Sequence, residues 1–444
     1  MRRGARATLL SIAVVVLGGV LASQASAAAG DAPRIVTKAY VVSGPQHFDG
    51  EGRLKTNLRS DAALERLAAS ARRDGGVKAM TAKAARRVAV AQKAEYGTAS
   101  ANVAQAPDDI TVEECRDRAE LSARSQGWIK NHFSYCQLGA VVAVEQRCWW
   151  RFCQTIGFFG ARITLMGYAY NGLRNVDWTA HIDRVSAFGT AAAGAFTYEI
   201  DCAGSPDDDS CVPGSHEVTR TVAQWRADGE ADLLFFSEAE PSSPAMGEQI
   251  DTGVFQVEGE FRFPSGTARA ANGPETSVRF DSAWYLPQQQ GSIFNRVTPW
   301  LSFSVNDPAV NQSAHHIRDA QRHPETTYPR VAGKQIPGAS AENPLHRLYH
   351  DTTRRRQNRE GFAVPVCEQQ WPGYPELSQD CDEYPFASTY EGAARHLYDD
   401  VPYGWFSVRP ILFSDNQTSG SRLGTWYGAD RILDGDAYYV RITG

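Results

Sequence analysis

The chain has 444 residues, a formal net charge of −6 and 42% hydrophobic residues. This length allows two or three domains, and the composition is that of a soluble globular protein. The acidic balance excludes a protein that binds nucleic acid through its overall charge, so such binding would need a local basic patch or a metal ion.

The N-terminus has the features of a secretory signal peptide. Three arginines lie within the first six residues, an apolar run follows over residues 7–22, and Ala25-Ser26-Ala27 provides a cleavage site of small residues. The apolar run is short for a membrane span, so removal is favoured over an uncleaved anchor. We expect residues 1–27 to be a signal peptide, the mature protein to be secreted and extracellular, and no membrane association after cleavage.

Eight cysteines in an exported chain indicate disulfide bonds. Pairing of near neighbours is the simplest arrangement, although spacing does not fix the connectivity. A zinc site would need tighter CxxC-type pairs, which the sequence lacks. The candidates are Cys202 with Cys211, Cys367 with Cys381, and an earlier group of Cys115, Cys136, Cys148 and Cys153.

Residues 28–105 are poor in aromatic residues and rich in Ala, Arg and Lys. They offer little to bury in a core, and residues 64–90 contain helical patterning, so we expect a pro-segment or a helical arm. Its basic residues suit a solvated helix face better than a DNA contact.

The residue pattern changes over residues 106–305, where short segments rich in β-branched and aromatic residues alternate with turn residues. This pattern predicts an all-β, sandwich-like domain, for which a glycan or a protein is the expected kind of ligand. Four tryptophans either pack in its core, which is favoured, or line a ligand groove. They are Trp149, Trp150, Trp178 and Trp225.

The last region, residues 306–444, predicts an α+β domain. A helix is expected over residues 309–321, with Ser313 near its start, and a second over residues 343–358. Three arginines at 354–356 would lie near the end of the second helix, where they either complement the helix dipole or grip phosphates.

Three carboxylates crowd into four positions at Asp380, Asp382 and Glu383. Residues 381–387 and 403–413 are predicted strands, and Asp415 or Asn416 is suited to start a helix after the second strand. Alternation along the first strand would put the two aspartates on one face and the glutamate on the other. Because oxygen ligands attract Mg²⁺ and similar ions, the order strand, strand, helix predicts one divalent metal between strand and helix.

Ser388-Thr389-Tyr390-Glu391 has the form of a helix capping box. Glu391 is therefore expected to be a cap or to anchor a loop, rather than to bind a metal.

Taken together, several ordered motifs in residues 307–444 resemble the NucA/NucB-type secreted deoxyribonucleases, non-specific endonucleases of the ββα-metal group. Ala393 departs from the family pattern, which has a second glycine there. The motifs are, in order, Ala314-His315-His316-Ile317-Arg318-Asp319-Ala320, Gln357-Asn358-Arg359-Glu360, Asp380 with Asp382-Glu383-Tyr384-Pro385, Glu391-Gly392, Asp415-Asn416, Gly420-Ser421-Arg422-Leu423-Gly424 and Asp434-Gly435.

The resemblance implies DNA as substrate and a divalent metal, Mg²⁺ or Mn²⁺, as cofactor. Carried over residue by residue, it makes Asp382 the candidate general base, with Glu383 and His316 as further catalytic candidates. The implied metal residues are Glu383, Asn416 and Asp380, and the implied substrate-binding residues are Arg359, Ser421 and Arg422.

The resulting expectation is a secreted, metal-dependent endodeoxyribonuclease that degrades extracellular DNA. The alternative is a carbohydrate-binding or adhesion protein whose C-terminal domain is an inactive nuclease fold. A glycosidase pair is the least favoured interpretation, since Asp382 and Glu383 are adjacent and diverge, whereas such a pair needs carboxyls roughly 5–10 Å apart.

Overall fold

The structure, a computed structural model, describes residues 32–50, 52–55, 109–150, 152–203, 211–238, 241–271 and 276–444. The predicted signal peptide and most of the predicted arm lie outside these residues. Over the described part the chain is mostly β, and none of its helices has both the length and the apolar character needed to cross a membrane.

The first large sheet is antiparallel throughout. Its strands are β1 (Arg34–Val42), β2 (Trp128–Asn131), β3 (Ser134–Trp149), β4 (Phe152–Tyr170), β5 (Leu173–Gly189), β7 (Val212–Ser215) and β9 (Glu230–Phe236). Their order is β1-β3-β4-β5-β9-β7, with β2 beside β3. The assignment of residues 34–42 to a helical arm is therefore wrong, because this segment is rich in Val, Ile and Tyr and pairs along its whole length with β3.

The second large sheet is also antiparallel. It contains β6 (Ala195–Ala203), β8 (Glu217–Thr221), β10 (Gln249–Phe263), β11 (Gly266–Ala271), β12 (Thr276–Ser282) and β13 (Gln290–Phe294). The order is β13-β12-β10-β6-β8, with β11 beside β10. Three short helices accompany the two sheets: α1 (Val112–Asp117), α2 (Ala119–Ser122) and α3 (Val222–Ala227).

Both sheets contribute to one hydrophobic core. Phe159 of the first sheet stacks on Phe261 of the second with ring centroids 4.4 Å apart, and Trp178 lies against Phe255. Trp178 and Trp225 are buried, which confirms core packing for these two tryptophans. Trp149 and Trp150 are exposed instead, so core packing was the wrong prediction for them.

The C-terminal region has its own core and two small sheets. Its strands are β14 (Trp300–Ser304), β15 (Leu345–His346), β16 (Gln379–Tyr384), β17 (Ser407–Leu412) and β18 (Ala437–Thr443). β14 runs parallel to β18, which pairs with β15 on its other side, while β16 and β17 form a separate antiparallel pair. Its helices are α4 (Asn311–Arg322), α5 (Thr352–Arg356), a π-helical segment (Gln357–Ala363), α6 (Val364–Gln370) and α7 (Phe413–Ala429). Single 3-10 turns lie at Pro45–His47, Thr190–Ala193, Pro324–Thr326, Tyr374–Leu377 and Arg395–Leu397.

The second predicted helix begins later than the sequence suggested. Residues 345–346 pair with β18, and α5 starts only after Asp351, whose side chain accepts a hydrogen bond from the Arg354 backbone N–H at 2.8 Å. An aspartate at this position caps a helix N-terminus, and the continuous helical segment then runs to Gln370. The arginines at 354–356 therefore lie in the first two turns of this continuous segment, far from its C-terminal end, so its dipole does not explain them.

A buried polar network joins the second large sheet to the C-terminal region. Arg431 is fully buried, pairs with the Asp281 carboxylate on β12 and donates to the Gln290 carbonyl at 2.7 Å. Arg279 donates to the Asp436 carboxylate at 2.6 Å and to the Arg431 carbonyl at 2.7 Å. The C-terminal region is thereby held against the sheets by charged groups that are fully hydrogen-bonded.

All eight cysteines form disulfides between near neighbours, as the simplest pairing predicted. The pairs are Cys115–Cys136, Cys148–Cys153, Cys202–Cys211 and Cys367–Cys381. The last bond ties α6 to β16.

Candidate active site

The candidate site is built on β16, β17 and the helix that follows them. The two strands pair in a register that sets Asp382 opposite Arg409 and Asp380 opposite Ile411. Helix α7 begins at Phe413, directly after β17, so neither Asp415 nor Asn416 starts it, as the sequence had suggested. The three elements still bring Asn416 next to the acidic strand.

Asp415 caps a different helix from the one predicted. Its carboxylate accepts hydrogen bonds from the backbone N–H groups of Gln312 and Ser313, at 2.8 and 3.0 Å, and from the Ser313 hydroxyl at 2.7 Å. A carboxylate at the N-terminus of α4 satisfies free N–H donors and interacts favourably with the helix dipole. Asp415 therefore fixes α4, which carries His316, against α7, which carries Asn416.

His316 lies directly behind Asp382. The histidine is fully buried, with Nδ1 2.8 Å from Asp382 Oδ2 and Nε2 2.7 Å from Ser407 Oγ. With a neutral imidazole and an ionised aspartate, Nδ1 carries the proton and donates to Asp382, while the serine hydroxyl donates to Nε2. The ring does not reach the surface, so this catalytic candidate can act only through the groups that it touches.

Asp382 is almost completely buried, yet only one of its carboxylate oxygens is engaged. Oδ2 accepts from His316, and Oδ1 accepts no hydrogen bond from any residue that the structure describes. A carboxylate that is held in place through one oxygen can accept a proton on the other.

Asp380 and Asn416 are in direct contact, and Arg359 joins them to Glu383. The Asn416 Nδ2 donates to Asp380 Oδ2 at 2.8 Å. The Arg359 guanidinium lies 3.1 Å from both Asp380 oxygens and 3.8 Å from Glu383 Oε1. Over the described ranges, the side-chain oxygen of Asn416 has no hydrogen-bond partner.

Burial raises the pKa of the Glu383 carboxyl to about 7, and the neighbouring Asp382 and Asp380 add to the rise, whereas Arg359 opposes it. The carboxyl is thus poised to lose its proton near neutrality. A cation beside Glu383 would favour its ionised form.

Arg359 and Asn358 come from the π-helical segment, a wide helical turn that is frequent at functional sites. Asn358 is buried and its amide donates to the carbonyls of Ala387 and Thr389, at 2.9 and 3.0 Å. A Cβ at Gly392 would lie 2.4 Å from this amide, so the position requires glycine. Asn358 thereby holds the loop that follows β16.

Glu391 anchors the same loop rather than capping a helix. Its carboxylate accepts from the His346 backbone N–H at 2.8 Å and contacts His346 Nδ1 at 2.7 Å. Residues 388–394 form turns and no helix begins at Ser388, so the capping-box prediction is wrong, and the loop-anchoring one is confirmed.

Ser421 and Arg422 lie apart from this group. Ser421 is exposed on α7, five positions after Asn416 and hence about 140° around the helix axis from it. Arg422 pairs with Asp307 at 2.6 Å, and that guanidinium holds the pKa of the Asp307 carboxyl below its usual range. Of the predicted substrate-binding residues, only Arg359 touches the acidic cluster.

The donor set fits a hard divalent cation. Carboxylates of Asp380 and Glu383 and the Asn416 amide supply oxygen ligands, and a cation would stabilise the ionised form of Glu383, which burial disfavours. Asp382 contacts His316 through one oxygen and does not contact Asn416 or Arg359 through a hydrogen bond among the described residues. Among the described residues, only Glu199, His216 and Glu217 in the second large sheet bring three His, Cys, Asp or Glu ligand atoms within 4.8 Å of one another, and Glu199 is already paired with Arg269 at 2.7 Å.

Sequence reasoning missed Ser407, the capping role of Asp415 and the loop-holding role of Asn358. No local pattern signals the first two, because their partners lie about 90 and 100 residues away in the chain. Asn358 stood within a motif quoted above, but nothing in the motif indicated a buried amide.

Comparison with known proteins gives one match. The family model of deoxyribonuclease NucA/NucB matches residues 338–441, which include β16, β17 and α7 but not α4 and His316. No curated protein and no solved structure matches the chain significantly.

Proposed function

We propose that this chain, which carries a NucA/NucB deoxyribonuclease domain over residues 338–441, is a secreted, metal-dependent endonuclease that hydrolyses phosphodiester bonds of extracellular DNA. One observation carries the proposal. The acidic strand and Asn416 meet at 2.8 Å, and Asp382 lies beside them with a free oxygen. This is the arrangement expected of a ββα-metal site.

Asp382 is the proposed general base. Its free oxygen accepts a proton from the attacking water, and the Nδ1–H of His316 holds the carboxylate in place and offsets its charge. Ser407, His316 and Asp382 are joined by hydrogen bonds in an order that resembles a nucleophilic triad. Ser407 and His316 are fully buried, so the serine has no access to substrate, and these hydrogen bonds position the aspartate.

Glu383, Asp380 and Asn416 are the proposed metal residues, with Mg²⁺ or Mn²⁺ as the ion. A bound divalent ion polarises the scissile phosphate and stabilises the charge that develops on it. Asn416 contributes an uncharged oxygen, which limits the repulsion of an anionic phosphate. Arg359, half-exposed at the edge of the cluster, is the proposed phosphate contact, because its planar fork matches phosphate oxygens.

Secretion is proposed from the signal-like N-terminus and from the four disulfides, which persist in oxidising compartments. Because the net charge is −6, the whole protein does not attract DNA, and we propose that the metal and nearby arginines do so.

The test compares Asp382→Asn with wild type in plasmid nicking by the full chain, across Mg²⁺, Mn²⁺, Ca²⁺ and a chelator. Loss of the base should lower kcat by about 10²–10⁴-fold with little change in thermal stability. Asp319→Asn is the matched control, since Asp319 pairs with Arg409 on β17, outside the proposed base and metal ligands.

Metal binding has its own readout. Mg²⁺ or Mn²⁺ should raise the melting temperature of wild type and of Asp382→Asn, but not of Asn416→Ala. A folded wild-type protein that nicks no plasmid with any metal would overturn the proposal.

A further inference from the structure

The hairpin between β3 and β4 presents the two most exposed large hydrophobic side chains of the described residues. Trp150 is 83% exposed and Phe152 is 78% exposed, and Trp149 beside them is 42% exposed. Scattered single apolar residues are normal on a protein surface, but here three exposed aromatic residues lie within four positions at one hairpin. We call Trp149, Trp150 and Phe152 the aromatic tip.

The backbone of this tip is unfavourable for the residue that occupies it. Trp149 pairs with Phe152 across a tight hairpin, and Trp150 has φ 57°. Connections of this kind favour Asn or Gly, because a side chain in the left-handed region costs free energy. Trp150 therefore has an unfavourable backbone conformation and an exposed indole. Backbone strain of this kind is frequent at functional sites, which suggests that the indole binds a partner.

The tip is also rigid. The Cys148–Cys153 disulfide closes the hairpin directly below it, and these two cysteines are paired in the strand register. Little conformational freedom remains to be lost when the aromatic side chains bind a partner.

The surroundings of the tip are basic. Arg147 on β3 and Arg34 on the neighbouring β1 are both exposed and lie at adjacent positions of the strand register. The sequence contains no Asp or Glu over residues 146–155 or 32–36, although the whole chain has a net charge of −6. The patch therefore complements an anionic partner.

The tip lies far from the candidate active site. β4 starts at the tip and ends at Tyr170, and Asn171 next to it donates to the Gly428 carbonyl at the end of α7. A strand of 19 residues spans up to about 60 Å, so the tip and the C-terminal region lie at opposite ends of the first sheet.

We propose that the aromatic tip docks the protein reversibly on a lipid bilayer with anionic headgroups. Trp and Phe insert at the level where aromatic side chains are favoured in bilayers, and Arg34 and Arg147 contact the headgroups. A convex tip suits the soft surface of a bilayer, whereas single-stranded nucleic acid needs a groove with several stacking platforms. This peripheral contact needs no membrane-spanning helix, and it does not depend on nuclease activity.

The test is co-sedimentation of the full chain with phosphatidylcholine vesicles, with and without about one third of phosphatidylglycerol. Binding should occur on the anionic vesicles with a partition constant near 10⁴ M⁻¹, about the strength given by one acyl chain. Trp150→Gly should weaken it at least about tenfold, because the indole supplies much of the inserted area. Arg34→Gln and Arg147→Gln should each weaken it about fivefold, on anionic vesicles only.

The matched control is Met246→Ser, which removes another exposed large hydrophobic side chain. Met246 is 52% exposed and lies between β9 and β10. This variant should leave vesicle binding unchanged. Trp150→Gly also relieves the strained backbone, so its melting temperature should equal or exceed that of wild type and exclude misfolding as the cause.

Absence of binding to the anionic vesicles would overturn the proposal, as would binding that Trp150→Gly leaves intact. Binding of a single-stranded oligonucleotide that the same variant abolishes, without any vesicle binding, would assign the tip to nucleic acid instead. Plasmid nicking in solution by Trp150→Gly should match wild type, so failure of the nuclease proposal and failure of this one give separate results.

Discussion

Two clusters of buried charge in this protein are balanced in opposite ways. In the interface cluster, two arginines, Arg431 and Arg279, meet two aspartates, Asp281 and Asp436, and each charge is matched by an opposite one. In the candidate site, Asp380, Asp382 and Glu383 share a short strand and the only cation bound directly to them, among the described residues, is Arg359.

The difference separates structural charge from functional charge. A closed, balanced cluster holds two regions together and leaves no reactive group. Burial is the main cause of the raised pKa of Glu383, and Asp382 and Asp380 add to it, so an ionised Glu383 is a cost to the folded protein that a bound cation would relieve. A carboxyl buried beside two others is thus the feature that supports the proposed metal site, more than the number of carboxylates.

Breaking the balanced cluster should have the largest effect on stability. Arg431→Met leaves Asp281 buried beside a single arginine, and loss of one partner in a buried pair costs about 3–5 kcal/mol. The free energy of unfolding from urea titration measures this loss. The double variant Arg431→Met/Asp281→Leu should recover part of it, because no buried charge is then left alone.

Arg422→Met is the matched control. Arg422 pairs with Asp307 at 2.6 Å with both side chains partly exposed, and such pairs contribute at most about 1 kcal/mol. Equal losses of unfolding free energy in Arg431→Met and Arg422→Met would mean that burial does not make the first ion pair more important than the second.

The unbalanced cluster should make stability depend on pH in an unusual direction. The folded pKa of Glu383 is about 7, against an ordinary value of 4.5, so the native state holds a proton that the unfolded state has released. Stability therefore falls as pH rises from about 4.5 to 7, by up to about 3 kcal/mol.

Urea titrations of wild type and Glu383→Gln from pH 5 to 8, in chelator, isolate this contribution, since other groups cancel in the difference. Wild type should lose stability relative to the variant as pH rises, and Mg²⁺ should reverse the loss at pH 8. A difference that does not change with pH would remove the evidence for a raised pKa of Glu383 and hence for an ionised carboxyl in need of a cation.

The crowded carboxylates and the ordered motifs predicted Asp382, Glu383 and Asn416 as one group, because these residues lie on consecutive elements whose pairing is short-range. Strand alternation was a poorer guide, since it separated Asp380 from Glu383, whereas Arg359 contacts both. The buried partners could not be found in this way. His316 meets Ser407 from 91 positions away, and such contacts depend on how α4 packs on the strand pair, which periodicity does not specify.

The same limit explains the two tryptophan outcomes. An alternating strand pattern predicts an inward-facing Trp178, and the core contains it. Trp150 follows the end of β3, where a strand pattern no longer distinguishes an inward from an outward side chain, so its exposure depends on the hairpin itself. Residues 34–42 were missed because their strand partner, β3, begins about a hundred residues later.

The smallest effect should come from the group behind the base. His316→Gln keeps one donor toward Asp382 but not the hydrogen bond from Ser407, so the aspartate is less firmly oriented. By analogy with groups that orient metal ligands, kcat should fall about 10–100-fold with KM unchanged, less than the loss from Asp382→Asn. Ser407→Ala should act in the same direction and more weakly, and it should add nothing further to His316→Gln, since the serine acts through the imidazole. A larger loss in His316→Gln than in Asp382→Asn, in folded protein, would move the proton-accepting role from the aspartate to the histidine.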